Sequence, residues 1–386
     1  MELLGTICSK IIEGYGVAGV ILVALVIALF TIQLVQLCRQ LIVAKFKQTS
    51  RPQKLQTPPA VSVIVPLFGE DEEYLKGDLR MLLSQSSTNY EVVVVYVGKE
   101  DAFYATLKHM RKFFHHLKTT QIDYTPQYPI TMKLALNIGI KSASYDHVIL
   151  TTPETCPSTR HWVEYMACGF MYGDIVLGYC NWEQHNTLLN LFYRKYRLSE
   201  VRAYLAEAIR GRQYGASRNT LGFTKERYFA VRGFDHLNLT AGEDDLFVQS
   251  IATKDNVSVL LSSAAHCAEL QPASFHNWLT EIYRQGQTRK FYTQTARNVE
   301  SCEMLCRVAF FIAAIGAMAV LPLELKVFAF LLVVARYIVM AVVNKRTAER
   351  VGEPKIAAWE PLFDFFEPWV RFIIRATQPK QIYKWR

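Results

Sequence analysis

Long apolar segments dominate the pattern of hydrophobic and polar positions at both ends of the chain. Residues 14–38 carry no charge, and two shorter apolar arms, residues 308–323 and 327–344, flank a turn at residues 322–326. About 20 apolar residues cross a bilayer as a helix. The first segment has no small-residue cleavage site and exceeds a signal-peptide core, so it predicts a retained membrane anchor. The two arms predict a transmembrane hairpin, with a shallow re-entrant hairpin as the alternative because each arm is barely long enough.

Positive charge follows these segments and predicts the side of the membrane on which each end lies. Basic residues come after the first segment and after the hairpin: Arg39, Lys45, Lys47, Arg51 and Lys54, then Lys345, Arg346 and Arg350. The positive-inside rule then places the intervening chain in the cytoplasm of a multi-pass protein of the cytoplasmic (inner) membrane. Residues 356–377 mix aromatic and charged residues, so they predict an interfacial amphipathic helix broken at Pro361 and Pro368.

Between the membrane segments, buried-type apolar runs alternate with helical spacing. Strands are predicted at residues 61–65, 91–97, 147–152, 174–182 and 257–263, and helices at 72–86, 102–117 and 133–144. This alternation predicts an α/β fold with a mostly parallel, Rossmann-like sheet and helices on both faces. Ligands bind such sheets at the carboxyl ends of the strands, here residues 66–70, 96–101 and 151–154.

The predicted organisation has six parts. Residues 1–44 form the anchor, 45–58 a basic linker, 59–275 the α/β domain, 276–303 an interfacial helix, 304–344 the hairpin and 345–386 a cytoplasmic tail.

Composition and charge narrow the class of protein. With 51% hydrophobic and 20% charged residues, the chain is too charged for a polytopic bundle and too apolar for a disordered protein. The net charge of +9 is compatible with nucleic acid, phospholipid or a phosphorylated substrate. Much of the basic charge lies beside membrane segments without an aromatic stacking platform, so membrane lipids are expected and nucleic acid is not. The eight cysteines form no CxxC pair, which favours free thiols, and neither GxxxxGK nor GxGxxG occurs.

Three segments carry polar residues at the ends of predicted strands or in the helix that leads into one: VSVIVPLFGED with Pro66 and Glu70, YEVVVVYVGKED with Asp101, and KLALNIGIKSASYDHVILTTPETCP with Lys133 and Asn137. They resemble the nucleotide side of the family 2 glycosyltransferases, which have a GT-A fold and often carry membrane segments at both ends. The resemblance implies that these residues bind a nucleotide-sugar donor.

Two further segments resemble the acceptor side and the leaving-group side of the same family. The segment RNTLGFTKERYFAVRGFDHLNLTAGEDDLF carries the Gly233–Phe234–Asp235 turn and the acidic residues Glu243 and Asp244. The segment QTRKF resembles the family's Gln-x-x-Arg-Trp motif. It adds three expected donor-binding residues: Gln287, Arg289 and Lys290.

The resemblance implies inverting transfer of a sugar to a hydroxyl of a lipid-linked or glycan acceptor. Asp244 would be the general base, and Glu243 would contact the acceptor or orient the loop. A divalent cation, Mg²⁺ or Mn²⁺, would bind at Glu154. Two motifs depart from the family: Tyr96 and Val97 replace paired Asp residues, and the metal-binding Asp-x-Asp becomes Thr152, Pro153 and Glu154. The alternative is therefore a catalytically impaired glycosyltransferase-like scaffold or partner-binding membrane protein.

Overall fold

The computed structural model describes residues 2–50, 53–87, 89–124, 130–234 and 239–379. The chain divides into two compact units. The helical unit comprises Met1–Ala44, Gln294–Glu349 and Glu353–Ile373. The α/β unit comprises Lys45–Thr293, Arg350–Gly352 and Ile374–Arg386.

Ten strands form two sheets in the described part of the α/β unit. They are β1 Val61–Phe68, β2 Tyr90–Val97, β3 Leu117–Ile122, β4 His147–Leu150, β5 Thr155–Pro157, β6 Ile175–Leu177, β7 Cys180–Trp182, β8 Leu221–Thr224, β9 Val257–Val259 and β10 Cys267–Glu269. Seven lie in the order β3-β2-β1-β4-β8-β6-β9, and three in the order β5-β10-β7. Within the seven-stranded sheet only β8 runs antiparallel to its neighbours. The mostly parallel α/β fold predicted from the sequence is confirmed.

The helices of the two units follow in chain order. They are α1 Glu2–Lys45, α2 Glu72–Lys76, α3 Asp78–Leu83, α4 Ala102–Met110, α5 Met132–Ser142, α6 Trp162–Gly169, α7 Leu188–Ile209, α8 Lys225–Ala230, α9 Asp245–Ile251, α10 Phe275–Gly286, α11 Gln294–Val320, α12 Leu323–Arg350 and α13 Glu360–Thr377. A 3₁₀ helix, Gln287–Phe291, directly follows α10.

The centre of the α/β unit is built on β1, β2 and α5. The two strands are rich in valine and buried along nearly all of their length, so burial on both faces stabilises their parallel pairing. Helix α5 lies against them at Gly139, where an added Cβ would stand 2.4 Å from Cγ2 of Ile64 and 2.9 Å from Cγ2 of Val95. The glycine in this helix is therefore required by close packing of helix on sheet.

Several predicted element boundaries are wrong. The helix predicted at residues 102–117 ends at Met110, and the chain then forms the unpredicted strand β3. The strand predicted at residues 174–182 is two strands in different sheets, separated at Gly178 and Tyr179. The helix predicted at residues 72–86 is two short helices that meet at Gly77. The first strand runs past its predicted end to Phe68.

Among the described residues of the helical unit, three helices are long and apolar enough to cross a membrane. The candidate spans are Val17–Lys45, Gln294–Val320 and Leu323–Arg350. Val26, Phe310, Phe311 and Ala329 of these helices are buried in one apolar cluster. The predicted apolar anchor segment, residues 14–38, lies within α1, and the second arm, residues 327–344, lies within α12. The first arm, residues 308–323, extends past the end of α11 at Val320.

Helix α13 differs from its prediction in one respect. It runs without interruption through Pro368, so the predicted break there is wrong, and Pro361 is the second residue of the helix, where a missing N–H is tolerated. Asp364 and Glu367 are buried, whereas Trp369 and Phe372 are 41% and 59% exposed. The helix thus turns its acids inward within its unit and its aromatic residues outward.

Candidate functional site

The acidic turn before α9 places Asp244 at the start of that helix. Asp244 is the N-cap of α9, and its carboxylate accepts hydrogen bonds from the backbone N–H groups of Asp245 at 2.8 Å and Arg218 at 3.3 Å. Gly242 allows the turn because its φ is +100°, a conformation that L side chains rarely adopt. The Asp244 side chain is therefore fixed by main-chain donors from two segments distant in sequence.

The electrostatic setting of Asp244 differs from that of a surface carboxylate. Burial raises its pKa to about 7, and the negative charges of Asp245 and Glu243 act in the same direction. The nearby positive charge of Arg218 opposes this shift. A carboxylate whose pKa lies near neutrality is suited to accept a proton in a reaction at physiological pH.

Glu243 is held by two arginines. It is 1% exposed, its Oε1 lies 2.9 Å from Nη1 of Arg218 and 3.6 Å from Nη1 of Arg284, and Oε2 has no hydrogen-bond partner among the described residues. Burial would raise the pKa of Glu243, but the two guanidinium groups hold it below its usual range. Glu243 is thus ionised and oriented by Arg218, which favours the loop-orienting role of the two expected for it.

Asp245 connects the acidic turn to the 3₁₀ helix that carries the Gln-x-x-Lys-Phe motif. Its Oδ2 lies 2.5 Å from Oγ1 of Thr288 and 2.6 Å from the hydroxyl of Tyr292, and its Oδ1 accepts from the Leu246 N–H at 2.7 Å. Asp245 is 8% exposed and Thr288 is fully buried. The two sequence motifs predicted to act together are therefore in direct contact.

Further charged side chains surround this turn that the sequence did not single out. Arg218 contacts Glu243, and Arg197 pairs with Glu269 at 2.5 Å while its guanidinium lies 3.8 Å from the ring centroid of Trp182. Glu281 accepts both ends of the Arg284 guanidinium, at 2.7 and 2.8 Å. Burial would raise the pKa of Glu281, but Arg284 lowers it to about 2. Only folding brings Arg197, Arg218, Glu243 and Glu269 together, so their sequence spacing gave no signal, whereas Glu281 and Arg284 are neighbours one turn apart on α10.

At the end of β2 the structure gives Asp101 a local role. It is the N-cap of α4, accepting from the Tyr104 N–H at 2.9 Å, and its Oδ2 accepts from the Tyr96 hydroxyl at 3.0 Å. These bonds lower the pKa of Asp101. Burial, the bond to Asp101 and the charge of Glu70 raise the pKa of Tyr96 to about 12. Glu70, Tyr96 and Asp101 thus lie close together, with Glu70 exposed at the surface.

The other expected donor-binding residues on this side are mostly enclosed. Lys133, in the first turn of α5, is 1% exposed. Asn137 accepts a hydrogen bond through Oδ1 from the Tyr228 hydroxyl. Pro66 lies inside β1, paired with Val95 of β2. The N–H that Pro66 lacks costs no hydrogen bond between strands, because β4 pairs with β1 only as far as Ile64.

The donor set at the former Asp-x-Asp position does not fit a metal held by the protein. The Thr152 hydroxyl is buried and lies 2.9 Å from Oγ1 of Thr155 and 3.4 Å from Oδ1 of Asn219. Glu154 is exposed and supplies a single carboxylate. Within the described ranges, no group of three or more His, Cys, Asp or Glu side chains could hold a metal ion.

The motif residues after α10 lie on the 3₁₀ helix Gln287–Phe291. Arg289 contacts Glu200 of α7 at 3.5 Å, and the ammonium of Lys290 lies 4.9 Å from the ring centroid of Phe291. Gln287 is half-buried. Asp235, which completed the predicted turn after Phe234, lies outside the described residues.

The sequence matches one protein family, and the fold is similar to solved glycosyltransferase structures. The model of glycosyl transferase family 21 matches residues 20–385. The structure is similar to the mannosyltransferase PcManGT from Pyrobaculum calidifontis in complex with GDP-Man and Mn²⁺, with a TM-score of 0.56, 17% identity, and coverage of 89% of this chain and 99% of that chain. S. aureus TarS 1–349 in complex with UDP-GlcNAc is similar with a TM-score of 0.42 and 15% identity, over 83% of this chain and 93% of that chain. No curated protein matches the sequence.

Proposed function

The chain belongs to glycosyl transferase family 21, and from that premise we propose that it transfers a sugar from a nucleotide-sugar donor to a hydroxyl of a lipid-linked or glycan acceptor. The reaction proposed is a single displacement with inversion at the sugar C1. Asp244 takes the proton of the acceptor hydroxyl, the acceptor oxygen bonds to C1, and the C1–O bond to the phosphate breaks. The nucleoside diphosphate leaves with the bonding electron pair.

One observation carries this proposal: the pKa of Asp244 is raised to about 7 while main-chain donors fix its carboxylate. A general base works best when its pKa lies near the working pH and its position is fixed. Arg218 and Arg284 keep Glu243 ionised beside it, so the turn holds a defined arrangement of charge. Glu243 in this proposal orients the loop that carries the base.

The donor is proposed to bind along the carboxyl ends of β1, β2 and β4. Glu70 and Lys133 lie at this edge, and the Gln287–Phe291 segment would supply Arg289 and Lys290 as counter-charges for the leaving diphosphate. Pro66, Asp101 and Asn137 shape the same edge through the backbone and side-chain contacts described above. The mannosyltransferase of similar fold is in complex with GDP-Man, a donor of the class proposed here.

The apolar helices and the basic residues beside them support the proposed acceptor and the proposed side of the membrane. In the described part of the chain three helices are long and apolar enough to cross a bilayer, and basic residues follow the apolar parts of the first and the last of them. We place the α/β unit at the cytoplasmic face of the cell inner membrane by the positive-inside rule. A lipid-linked acceptor is favoured, because a freely soluble one would not require the enzyme to be anchored.

A divalent cation, Mg²⁺ or Mn²⁺, would have Glu154 as its one protein carboxylate at the former Asp-x-Asp position. Such an ion would neutralise phosphate charge. Since the donor set does not fit a metal held by the protein, no step of the proposed reaction is assigned to it.

The test uses the purified full-length protein in lipid nanodiscs with a panel of nucleotide sugars and extracted lipids. Asp244→Asn should lower transfer by at least about 10³-fold and leave donor binding unchanged, since only the base is lost. Asp255→Asn, the same change at an exposed carboxylate, is the matched control and should retain wild-type activity. Wild-type turnover that survives Asp244→Asn would reject Asp244 as the base.

The second candidate function is a glycosyltransferase-like scaffold without transfer activity. Two observations favour it: Asp101 is occupied as a helix cap, and the Thr152 hydroxyl is buried in contacts with its neighbours. A scaffold would show no shift in thermal stability with any nucleotide sugar, with or without Mn²⁺. Binding of a donor together with slow hydrolysis that depends on Asp244 would exclude the scaffold.

A further inference from the structure

The buried hydroxyl of Thr288 has two oxygen neighbours and one proton to donate. Its Oγ1 lies 2.8 Å from the carbonyl oxygen of Gln285 and 2.5 Å from Oδ2 of Asp245. A carbonyl can only accept a hydrogen bond, and so can an ionised carboxylate. If Asp245 were ionised, two acceptors would compete for one hydrogen, and one of the short contacts would be repulsive.

A proton on Asp245 removes this conflict. The acid then donates from Oδ2 to Thr288, and Thr288 donates to the carbonyl of Gln285. The Tyr292 hydroxyl donates to the remaining lone pair of Oδ2, and the Leu246 N–H to Oδ1. Each of these buried groups then has a partner of the opposite kind, as buried polar groups require.

We propose that Asp245 is the protonated acid of the Asp244–Asp245 pair and acts as a positioning residue that keeps its neighbour ionised. The inference rests on the proposed function, in which Asp244 is the base. The negative charge of an ionised Asp245 is one cause of the raised pKa of Asp244. A neutral Asp245 removes that cause, so the pKa of Asp244 is lower than it would be beside an ionised Asp245 and Asp244 loses its proton more readily. Thr288, in the Gln287–Phe291 segment, holds the proton on Asp245 and so links that segment to the base.

The charged and titratable groups around the pair come from several elements. Glu243 precedes it in the turn, Arg218 and Tyr204 face Asp244 from the segment before β8 and from α7, and the charge of Arg284 reaches it from α10. Tyr292 faces Asp245. Burial, the largest cause, and the charge of Glu243 raise the pKa of Asp245, and hydrogen bonds donated to its ionised form by Thr288, Tyr292 and Leu246 would lower it; the net direction is upward. Arg218 and Arg284 favour the ionised form of Asp244, so the surroundings also separate the two acids.

The experiment compares pH profiles of transfer in nanodiscs. Thr288→Val removes the acceptor of the Asp245 proton, so Asp245 ionises, and its negative charge raises the pKa of Asp244. The acid limb of kcat/KM then moves up by about one pH unit, which is a tenfold loss of kcat/KM at a fixed pH on that limb. Thr288→Ser keeps the hydroxyl and is the matched control, with an unchanged limb. Asp245→Asn with Tyr292→Phe mimics the neutral acid, since the amide donates to Thr288, and should keep the limb of the wild type.

Infrared spectroscopy reads the proton without requiring activity. Because Asp244 itself titrates near pH 7, the spectra are compared in the Asp244→Asn background. There, at pH 7, the otherwise unchanged protein and the Thr288→Ser protein should show a protonated-carboxyl carbonyl stretch that Asp245→Asn removes and Thr288→Val weakens. A spectrum unchanged by Asp245→Asn overturns the proposal, whatever the activity. An acid limb of kcat/KM that moves up by about one pH unit in the Asp245→Asn/Tyr292→Phe protein, in its folded state by circular dichroism, also overturns it. A wild type that is inactive with every donor defeats the proposed function, and the infrared band still decides the protonation of Asp245.

Discussion

A buried ion pair within the helical unit gives the sharpest prediction of stability. The Arg336 guanidinium, 1% exposed on α12, donates to both carboxylate oxygens of Asp364 on α13, at 2.5 and 3.0 Å, and to Oε1 of Gln33 on α1. Asp364 has a second cation, Nη1 of Arg307 on α11, at 3.5 Å. One arginine thus ties together three of the helices, and its two partners are not equivalent.

Because Asp364 has a second cation and Arg336 has no second anion among the described residues, the two single variants should lose different amounts of stability. Asp364→Leu leaves the buried Arg336 with the neutral oxygen of Gln33 as its one hydrogen-bond acceptor among the described residues, beside aromatic rings such as that of Phe311. Removing one partner of a buried pair costs about 3–5 kcal/mol. Arg336→Met leaves Asp364 with Arg307, so the expected cost is about 1–3 kcal/mol, that of one weakened buried hydrogen-bonded group. In the double variant neither charge is left without its partner. Its loss should therefore be smaller than the sum of the two single losses, with a coupling of about 2 kcal/mol.

The assay is reversible unfolding of the full-length protein in mixed micelles, followed by tryptophan fluorescence. Lys345→Met, the same kind of change at an exposed position of α12, is the matched control and should alter the free energy of unfolding by less than about 0.5 kcal/mol. Additive losses in the double variant would refute the reasoning, because they would mean that Arg336 and Asp364 do not interact. Equal losses in the two single variants would show that Arg307 does not support Asp364.

Three further predictions concern single sites. Gly139→Ala should destabilise the protein by about 1–3 kcal/mol, since its Cβ would meet Ile64 at 2.4 Å. Gly316→Ala in α11, where an added Cβ would have nothing within 4 Å, should stabilise the protein by no more than about 1 kcal/mol. Thermal unfolding measures both changes. Folding raises the pKa of Asp244 to about 7, so the folded state binds this proton more tightly than the unfolded state does. The resulting stability is present below the unfolded pKa and is lost as the pH rises through 7. Asp244→Asn should therefore raise the melting temperature more at pH 9 than at pH 5, and an equal shift at both would contradict the raised pKa. Glu154→Gln should change the affinity for the donor by less than about threefold in calorimetry, with or without Mn²⁺, since no cluster of described side chains could hold a metal ion together with Glu154. A Mn²⁺-dependent loss of affinity of tenfold or more would show that Glu154 holds the ion.

The elements that the sequence predicted well are those with one simple pattern. Apolar runs in β1, β2 and β4 and the long apolar helices of the other unit indicate burial or membrane directly. Helix α7 gave no such signal because Arg194, Lys195 and Glu207 are buried on it, so its inward positions are not apolar. Strand β3 has mixed, half-exposed residues and follows a helix after a short turn.

The site was predicted in the same uneven way. The acidic triplet and the Gln-x-x-Lys-Phe motif each have a local spacing, so Asp244 could be proposed from the chain alone. Arg218 lies about 25 positions earlier and reaches Glu243 only through the fold. The motifs indicated a glycosyltransferase, which the match confirms; the model that matches is that of family 21, and the resemblance to family 2 in particular is not confirmed.

The cost of the acidic turn bears on the choice between enzyme and scaffold. Glu243 and Asp245 are 1% and 8% exposed, and Asp244 between them has its pKa raised to about 7, so folding brings three adjacent carboxyls into a poorly solvated place. Such an arrangement opposes stability, and strain of this kind is typical of functional sites. The departures at Tyr96 and Thr152 have the opposite character, because each hydroxyl is hydrogen-bonded to a neighbour. A scaffold would have no use for the costly turn, whereas the proposed enzyme would use it to hold its base and would bind its donor through other groups.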